Sequence, residues 1–386
     1  MDKVRVGIAG VGNMGSGHAT RIYGGLVPGM ELCAVADKRA ERRKWASDNF
    51  DSVAIYNDAS DMIKNADIDA VIIVVPHYDH PRLVMEALAN GLHVICEKPA
   101  GVYTKQVREM NEFAAKQDKT FAMMFNQRTN CVFRKMKEMV DNGDIGEIKR
   151  VNWIITDWYR TQYYYDSGDW RATWSGEGGG VLLNQCPHNL DLLQWICGMP
   201  KSVRAFCHEG KWHDIEVEDD VTAYLEYENG ATGVFITTTG DAPGTNRFEI
   251  TGTLGKLVCD SAKTLKYTKL DIDEREYCKT ATEGFKKPPA QPTVNVETDG
   301  MNEQHVGVMK AFTNHILHGT PLVAEGYEGI NGLMLSNAMH LSSWLGKTVT
   351  LPVDEDLFYS ELSKRAANSR KKTSYIGGVM DTEGSY

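Results

Sequence analysis

Short apolar runs alternate with helix-prone stretches along the first third of the chain. The runs that predict strands are Val4–Ala9, Glu31–Ala36, Ala70–Val75, His93–Cys96 and Thr120–Phe125. The patterns between them predict helices at about 16–23, 38–49, 82–90 and 104–117. Continuously apolar strands are typical of a parallel sheet covered on both faces, and the alternation indicates βαβ units. We therefore expect a doubly wound parallel sheet of six strands that ends near residue 128, in which these five runs are the first, second, fourth, fifth and sixth strands.

From residue 129 the pattern changes, because strand-like runs follow one another without helices between them. These runs are 149–156, 221–227, 231–239, 248–251, 257–259, 265–270 and 349–351, and helices are predicted at about 181–196, 303–318 and 325–346. Such a series indicates an α/β domain with a large, mostly antiparallel sheet, open on one face. The predicted division is 1–128, 129–353 and a polar C-terminal extension over 354–386. The extension is interpreted as a surface helix and a mobile tail, with a functional arm as the alternative.

A glycine-rich turn directly follows the first predicted strand. Gly10 permits a tight turn, Gly12 lets a pyrophosphate approach the N–H groups of a helix N-terminus, and Gly15 lets that helix lie close to the strand. Asp37 follows the second strand, 22 residues after Gly15, where a carboxylate accepts hydrogen bonds from ribose hydroxyls. The pattern predicts NAD binding by a Rossmann domain, with Lys38 leaving NADP as the alternative. The turn offers as candidate contacts Gly10, Gly12, Asn13 and Met14.

Composition and charge narrow the class of protein. A chain of 386 residues with 42% hydrophobic content is long enough for two cores. The net charge of −10 argues against a nucleic-acid partner or an anionic membrane surface. Because the first predicted strand begins at Val4, we expect no signal peptide, and because no apolar run reaches the length of a bilayer, we expect no membrane span. The 8 cysteines form no CxxC pair, so we expect reduced thiols, a cytoplasmic location and no metal site.

Glu97 and Lys98 follow the fifth predicted strand, at the edge where ligands bind in doubly wound sheets. From that position the Lys98 ammonium would reach both a nicotinamide and a substrate oxygen, where it would stabilise a developing alkoxide or donate to a hydroxyl. The alternative is a surface lysine at the start of a loop. The sequence leaves both interpretations open.

Two further groups of polar residues follow the fourth and sixth strands at the same edge. Pro76 would shape the turn after the fourth strand, and His77 and His80 would either touch the cofactor or cap and pack the next helix. Asn126 and Arg128, at the junction of the domains, would either contact the ligand or satisfy hydrogen bonds between the domains. We include all five among the candidate cofactor residues.

A second glycine-rich segment, residues 178–191, leads into a predicted helix. Asn184 and His188 are four residues apart and would share a helix face, with Asp191 on a neighbouring line. Histidine is the natural acid–base group near neutral pH. A helix histidine is more often simply packed or solvated, but the glycines and the polar neighbour favour a site.

Aromatic residues are concentrated between Trp153 and Trp174, with 8 in 22 positions against 9% for the whole chain. Aromatic faces interleaved with polar groups suit pyranose rings, which have apolar faces and hydroxyl edges. A subunit interface is the alternative, since interfaces also favour Tyr, Trp and Arg. The candidate substrate residues are Asn184, Asp157, Tyr159, Arg160, Tyr164, Trp170 and Arg171.

Taken together, these motifs closely resemble the glucose–fructose oxidoreductase/inositol dehydrogenase (Gfo/Idh/MocA) family. The matching elements are Gly10–Gly15, Glu97–Pro99, Asn126 with Arg128, Gly178–Asp191 and Glu249–Gly255. The resemblance implies NAD(P)-dependent oxidation or reduction of sugars or polyols, by homodimers or homotetramers that pack through their open sheets. It also implies Lys98 and His188 as the catalytic pair, with His188 as the base and Lys98 positioning the oxygen.

Position 184 departs from the family pattern, because many of its dehydrogenases carry Asp where this chain has Asn184. An amide orients an imidazole but does not offset an imidazolium charge, so we expect His188 to be a weaker base, with Asp191 as partial compensation. The leading hypothesis is a dehydrogenase acting on a sugar or glycoside hydroxyl, C3 among the candidates. The rivals are an NAD-dependent glycosidase that oxidises C3 transiently and a non-catalytic NAD-sensing regulator.

Overall fold

A six-stranded parallel sheet forms the N-terminal part of the computed structural model, which describes residues 2–370, 372 and 376. Its strands are β1 Val4–Ala9, β2 Met30–Ala36, β3 Ala54–Tyr56, β4 Ala70–Ile73, β5 His93–Cys96 and β6 Phe121–Met123. They lie in the order β3-β2-β1-β4-β5-β6. The order reverses between β1 and β4, which opens a crevice at their carboxyl ends. The predicted doubly wound sheet is confirmed.

Helices connect these strands and cover both faces of the sheet. They are α1 Asn13–Tyr23, α2 Ala40–Asn49, α3 Ala59–Asn65, α4 His80–Ala89 and α5 Thr104–Ala114, with 3₁₀ turns at His77–Asp79 and Asn126–Thr129. All four residues of β4 are fully buried, as expected of a continuously apolar strand. The short strand β3 carries no such run and escaped prediction.

A nine-stranded sheet dominates the second half of the chain. Its strands are β7 Ile148–Ile155, β8 Ser202–Glu209, β9 Glu218–Glu226, β10 Thr232–Thr238, β11 Asn246–Gly252, β12 Gly255–Asp260, β13 Thr264–Lys269, β14 Val294–Asn295 and β15 Val349–Thr350. The order is β14-β13-β12-β11-β7-β10-β9-β8-β15, and of these pairs β7 with β10 is parallel. The expected large, mostly antiparallel sheet is confirmed, with β8 and β14 as unpredicted members.

One face of this sheet is covered and the other is open. The covering helices and their neighbours are α6 Cys131–Asp141, α7 Gln162–Asp166, α8 Pro187–Cys197, α9 Glu274–Thr280, α10 Gln304–His318, α11 Gly329–Leu345 and α12 Glu355–Ala367. On the covered face Trp153 stacks on Phe248 with ring centroids 4.1 Å apart. On the open face Ile154, Phe206 and Tyr224 are exposed.

The C-terminal extension begins with α12, which packs against α5 and α11 through Phe358 and Leu362. The predicted mobile tail falls largely on residues 371, 373–375 and 377–386, which lie outside the described residues. Within the described part of the chain, no helix has the length and apolar character needed to cross a membrane.

Candidate active site

The glycine turn after β1 has the geometry that its sequence predicts. Gly10 has a φ of +94°, and a Cβ there would lie 2.4 Å from the Val74 carbonyl oxygen. A Cβ on Gly15 would lie 1.8 Å from the Gly10 carbonyl oxygen. At Gly12, by contrast, the nearest atom to a Cβ would be Arg39 Nη2, at 3.5 Å. Side chains are therefore excluded where the helix meets the strand, and the backbone stays open at the helix N-terminus.

Asp37 lies beside this turn, where a ribose-binding acid is expected. Its Oδ2 accepts the backbone N–H of Val11 at 3.0 Å, and its Oδ1 accepts that of Arg39 at 2.9 Å. Gly12 is the N-cap of α1 and has no side chain that would cover the helix N-terminus, where phosphate oxygens are expected to bind. Asn13 and Met14 open α1, and Lys38 is exposed next to Asp37. The cradle fits a dinucleotide.

Lys98 stands at the end of β5 in the crevice between the two halves of the chain. Its peptide bond to Pro99 is cis, and its Nζ donates to the Asn184 carbonyl oxygen at 2.8 Å. The preceding Glu97 is buried, accepts the Lys98 N–H at 3.1 Å and pairs with His18 Nε2 at 2.8 Å. Contact with Asn184 rules out the surface-lysine interpretation.

Burial and neighbouring charges set the protonation of these groups. Burial lowers the pKa of Lys98, Glu97 opposes that effect and Arg171 adds to it. Burial alone would raise the pKa of Glu97, but the hydrogen bond and charge of His18 bring it down to about 2. A fixed carboxylate therefore stands next to an ammonium whose charge is only partly compensated.

His188 is the second residue of α8 and is 5% exposed. Neither of its ring nitrogens has a hydrogen-bond partner among the described residues. Burial, followed by the charge of Lys98, lowers the pKa of His188 well below its ordinary value. The imidazole is therefore neutral near pH 7 and has a free nitrogen to accept a proton.

The predicted helix over 181–196 starts too early, and this alters the role of Asn184. Helix α8 begins at Pro187, so Asn184 lies in the preceding turns and does not share a helix face with His188. The buried Glu218 carboxylate accepts the N–H groups of Gly180 and Leu182, at 2.9 and 3.0 Å, and holds the segment in turns. The helix starts at Pro187 because proline lacks a backbone N–H and its fixed φ suits the first helical position.

Glu177 is a residue of this site that the sequence analysis missed. It is 2% exposed, and its Oε1 accepts a short hydrogen bond from the Asn184 side-chain amide. Its Oε2 accepts the Ala172 N–H at 2.5 Å, and Arg171 Nη1 lies 3.9 Å from Oε1. Its position just before the glycines was the available signal, but nothing in the sequence indicated that this acid is buried.

Asp191 does not compensate His188 as predicted, because it is bound to Arg128. The two side chains form two parallel hydrogen bonds of 2.8 and 2.7 Å, and Arg128 also reaches Glu328 at 2.7 Å. Of the two interpretations of Arg128, this favours hydrogen bonds between the domains over a cofactor contact. Asn126 donates to Gln304 at 2.5 Å, which joins the sixth strand end to α10.

The two histidines after β4 have different surroundings, one packed against backbone carbonyls and the other facing the second half of the chain. Both ring nitrogens of His80 lie against backbone carbonyls, Nδ1 at 2.7 Å from Pro99 and Nε2 at 2.8 Å from Val75, which favours packing over cofactor contact. Pro76 precedes the 3₁₀ turn that begins at His77. His77 is buried, with Nδ1 3.2 Å from the Glu177 carbonyl and its ring against Trp170. It faces the second half of the chain.

The aromatic segment separates into core residues and residues that border the site. Trp153, Tyr165 and Trp174 are buried. Tyr164 faces the site, because its hydroxyl donates to Asn184 Oδ1 at 3.3 Å and accepts from Arg171 Nη1 at 2.8 Å. The guanidinium groups that stack on these rings are Arg160, over Trp158 and Tyr164, and Arg171, over Tyr164 and Trp170. The structure brings Tyr164, Trp170, Arg160 and Arg171 together beside Asn184, and places Asp157 and Tyr159 on the exposed side of the segment.

The arrangement defines a nucleotide-dependent oxidoreductase, and comparison with known proteins identifies its family. Residues 4–125 match the oxidoreductase family with an NAD-binding Rossmann fold, and residues 133–258 match the GFO/IDH/MocA C-terminal domain. The chain belongs to the Gfo/Idh/MocA family of NAD-dependent oxidoreductases. In the described residues, no group of three or more His, Cys, Asp or Glu side chains is arranged to hold a metal ion.

Named relatives align over most of the chain. The chain is 26% identical to the D-glucoside 3-dehydrogenase of Escherichia coli, covering 90% of this chain and 97% of the relative. It is 24% identical to the myo-inositol 2-dehydrogenase of Thermotoga maritima, covering 87% and 95%. The WlbA dehydrogenase of Chromobacterium violaceum, solved with NADH and UDP-GlcNAcA, has a TM-score of 0.78 at 26% identity, covering 92% and 97%.

Proposed function

We propose that this dehydrogenase transfers a hydride between a secondary hydroxyl of a sugar or glycoside and nicotinamide, with C3 as the candidate carbon. One observation carries the proposal: the Lys98 ammonium after β5 and the unpartnered His188 imidazole at the start of α8, one from each half of the chain, lie near enough for the charge of Lys98 to lower the pKa of His188. An ammonium and a neutral imidazole are the pair that alcohol oxidation needs.

The two side chains divide the chemistry at the substrate oxygen. His188, kept neutral by burial, takes the hydroxyl proton. Lys98, held by the Asn184 carbonyl, donates a hydrogen bond to the same oxygen and stabilises the negative charge that develops there. When bound in the Gly10–Gly15 cradle, the nicotinamide cofactor accepts the hydride. In the reverse direction His188 returns the proton.

The aromatic segment supports a sugar or glycoside over a small polyol. Tyr164 and Trp170 offer ring faces, and Arg160 and Arg171 offer hydrogen-bond donors at their edges. This combination matches the apolar faces and hydroxyl rims of pyranoses. The similarity to a D-glucoside 3-dehydrogenase supports the same substrate class and C3 as the oxidised carbon.

The test is NADH formation at 340 nm across a panel of sugars, polyols and nitrophenyl glycosides, with nitrophenol release followed in the same cuvette. We expect NADH to form with at least one glycoside and without equivalent nitrophenol. Nitrophenol release without net NADH would assign the chain to the NAD-dependent glycosidases. NAD binding without either signal would assign it to the regulators.

We also propose a homodimer or homotetramer that packs through the open face of the nine-stranded sheet, in the cytoplasm. The exposed Ile154, Phe206 and Tyr224 on that face support the assembly. The eight free thiols support a reducing compartment. Light scattering tests the assembly: we expect a mass of two or four chains, reduced to one chain by Phe206→Glu.

A further inference from the structure

Glu177 is a buried carboxylate that the proposed chemistry does not yet use. It reaches the site through Asn184, whose side-chain amide donates to Glu177 and whose backbone carbonyl accepts from Lys98 Nζ at 2.8 Å. One residue is therefore held at its side chain by an acid and at its backbone by the candidate catalytic lysine. Many dehydrogenases of the family carry a carboxylate at position 184, and here the carboxylate belongs instead to Glu177, which is hydrogen-bonded to Asn184.

The charges around Lys98 give that carboxylate a second role. The titratable and charged groups that face Lys98 are Glu97, Glu177, Arg160, Arg171, His77, His188 and His305. Those that face Glu177 are Arg171, Glu218, Tyr165 and Lys372. Glu97 pairs with His18 behind the lysine. Burial raises the pKa of Glu177, and the charge of Arg171 with the hydrogen bonds from Ala172 and Asn184 opposes that effect and favours the carboxylate. In its charged form Glu177 offsets the positive charge of Arg171 and Lys98 on the aromatic-segment side.

We propose that Glu177 is a positioning residue for Lys98, holding the ammonium in place through Asn184 and offsetting the positive charge around it. This inference rests on the proposed function, since it assigns Lys98 its partner for the same reaction. Burial of an acid that has a single ion-pair neighbour at 3.9 Å is costly for folding alone. A role in the reaction accounts for that cost.

A purely structural role is the competing explanation, because Glu177 also accepts the Ala172 N–H. The structural role and the positioning role predict different results when the carboxylate is moved from position 177 to position 184. Glu177→Gln removes the charge and keeps the size, and Asn184→Asp in the same chain returns the charge at the other end of the same hydrogen bond. A structural requirement at position 177 would not be met by an acid at position 184.

The experiment compares the kcat–pH profiles of the wild-type enzyme, Glu177→Gln and Glu177→Gln/Asn184→Asp, using the best glycoside from the panel. Loss of the carboxylate weakens proton binding by Lys98, so we expect the alkaline limb of Glu177→Gln to move down by about one pH unit. At pH values above the shifted limb, the kcat of Glu177→Gln should be about tenfold below that of the wild-type enzyme. The double variant should recover the wild-type limb. Glu218→Gln is the matched control. Glu218 is also a buried acid, and it binds the same segment through the N–H groups of Gly180 and Leu182. The alkaline limb of this variant should not move.

A second measurement works without turnover. Pulse labelling with acetic anhydride over a range of pH, read by mass spectrometry, gives the titration of the Lys98 amine in each variant. We expect a lower midpoint in Glu177→Gln and its return in the double variant. Unchanged labelling midpoints, or a double variant that labels as Glu177→Gln does, would overturn the inference. Shifted midpoints in an enzyme that turns over no substrate would support it while refuting the proposed reaction.

Discussion

The two interpretations of Arg128, a ligand contact and hydrogen bonds between the domains, predict different effects of a mutation. Its side chain is 2% exposed, that of Asp191 is 1% exposed, and the two are joined by two hydrogen bonds. Arg128→Met would keep an unbranched apolar stem, remove the guanidinium, and leave the buried Asp191 carboxylate with the Gln194 amide but without its charged partner. Breaking a buried pair in this way costs about 3–5 kcal/mol. At about 2–4 °C per kcal/mol, the melting temperature should fall by about 6–20 °C.

The assay is thermal unfolding followed by circular dichroism, with NAD affinity measured on the same samples by fluorescence titration. Arg134→Met is the matched control, because Arg134 and its partner Asp299 are 41% and 52% exposed, and such pairs contribute about 1 kcal/mol or less. Burial raises the pKa of Asp191, so the deficit of Arg128→Met should shrink as pH falls and the stranded carboxylate takes up a proton. An Arg128→Met protein that is as stable as Arg134→Met but binds NAD many times more weakly would refute this account and restore the cofactor interpretation.

Three further predictions concern the crevice. Lys98→Ala and His188→Ala should each lower kcat about a hundredfold or more, as expected for loss of an oxyanion donor or a general base. The dissociation constant for NAD should stay within a few-fold of the wild-type value. Full turnover in either variant would refute the role assigned to that residue. Burial and the charge of Lys98 lower the pKa of His188, so its neutral form persists below pH 6.5. The kcat of glycoside oxidation should therefore be maintained to lower pH than an ordinary imidazole base allows. An acid limb centred at pH 6.5 or above would contradict this. Asp37→Asn should weaken NAD binding about tenfold and NADP binding less, because a charged acceptor for the ribose is lost; equal changes for the two nucleotides in titrations would contradict the role of Asp37.

The features that the sequence predicted well are those decided by neighbouring residues. The positive φ of Gly10 and the close approach of Gly15 to the Gly10 carbonyl oxygen involve residues within six positions of one another, and β4 depends on a run of apolar side chains. Such local signals locate the dinucleotide cradle without knowledge of the rest of the fold. They also place Lys98 correctly, because the end of a parallel strand has a fixed position in the architecture.

The features that escaped prediction depend on partners distant in the chain. Asp191 is bound by Arg128, 63 residues away, and the turns before α8 are held by Glu218, 38 residues beyond Gly180. Glu177 lies near Asn184 in sequence, but its importance comes from burial, which requires the whole second half of the chain. The aromatic segment was ambiguous for the same reason, since three of its rings belong to the core.

Transfer of deuterium from carbon to nucleotide tests the central claim most directly. A glycoside carrying deuterium at C3 would be incubated with the wild-type enzyme and NAD, and the reduced nucleotide analysed by mass spectrometry. The account predicts that the label appears in NADH one-for-one with the oxidised sugar, and that Lys98→Ala and His188→Ala suppress it. Label released to water, or retained at C3 while the aglycone departs, would contradict it.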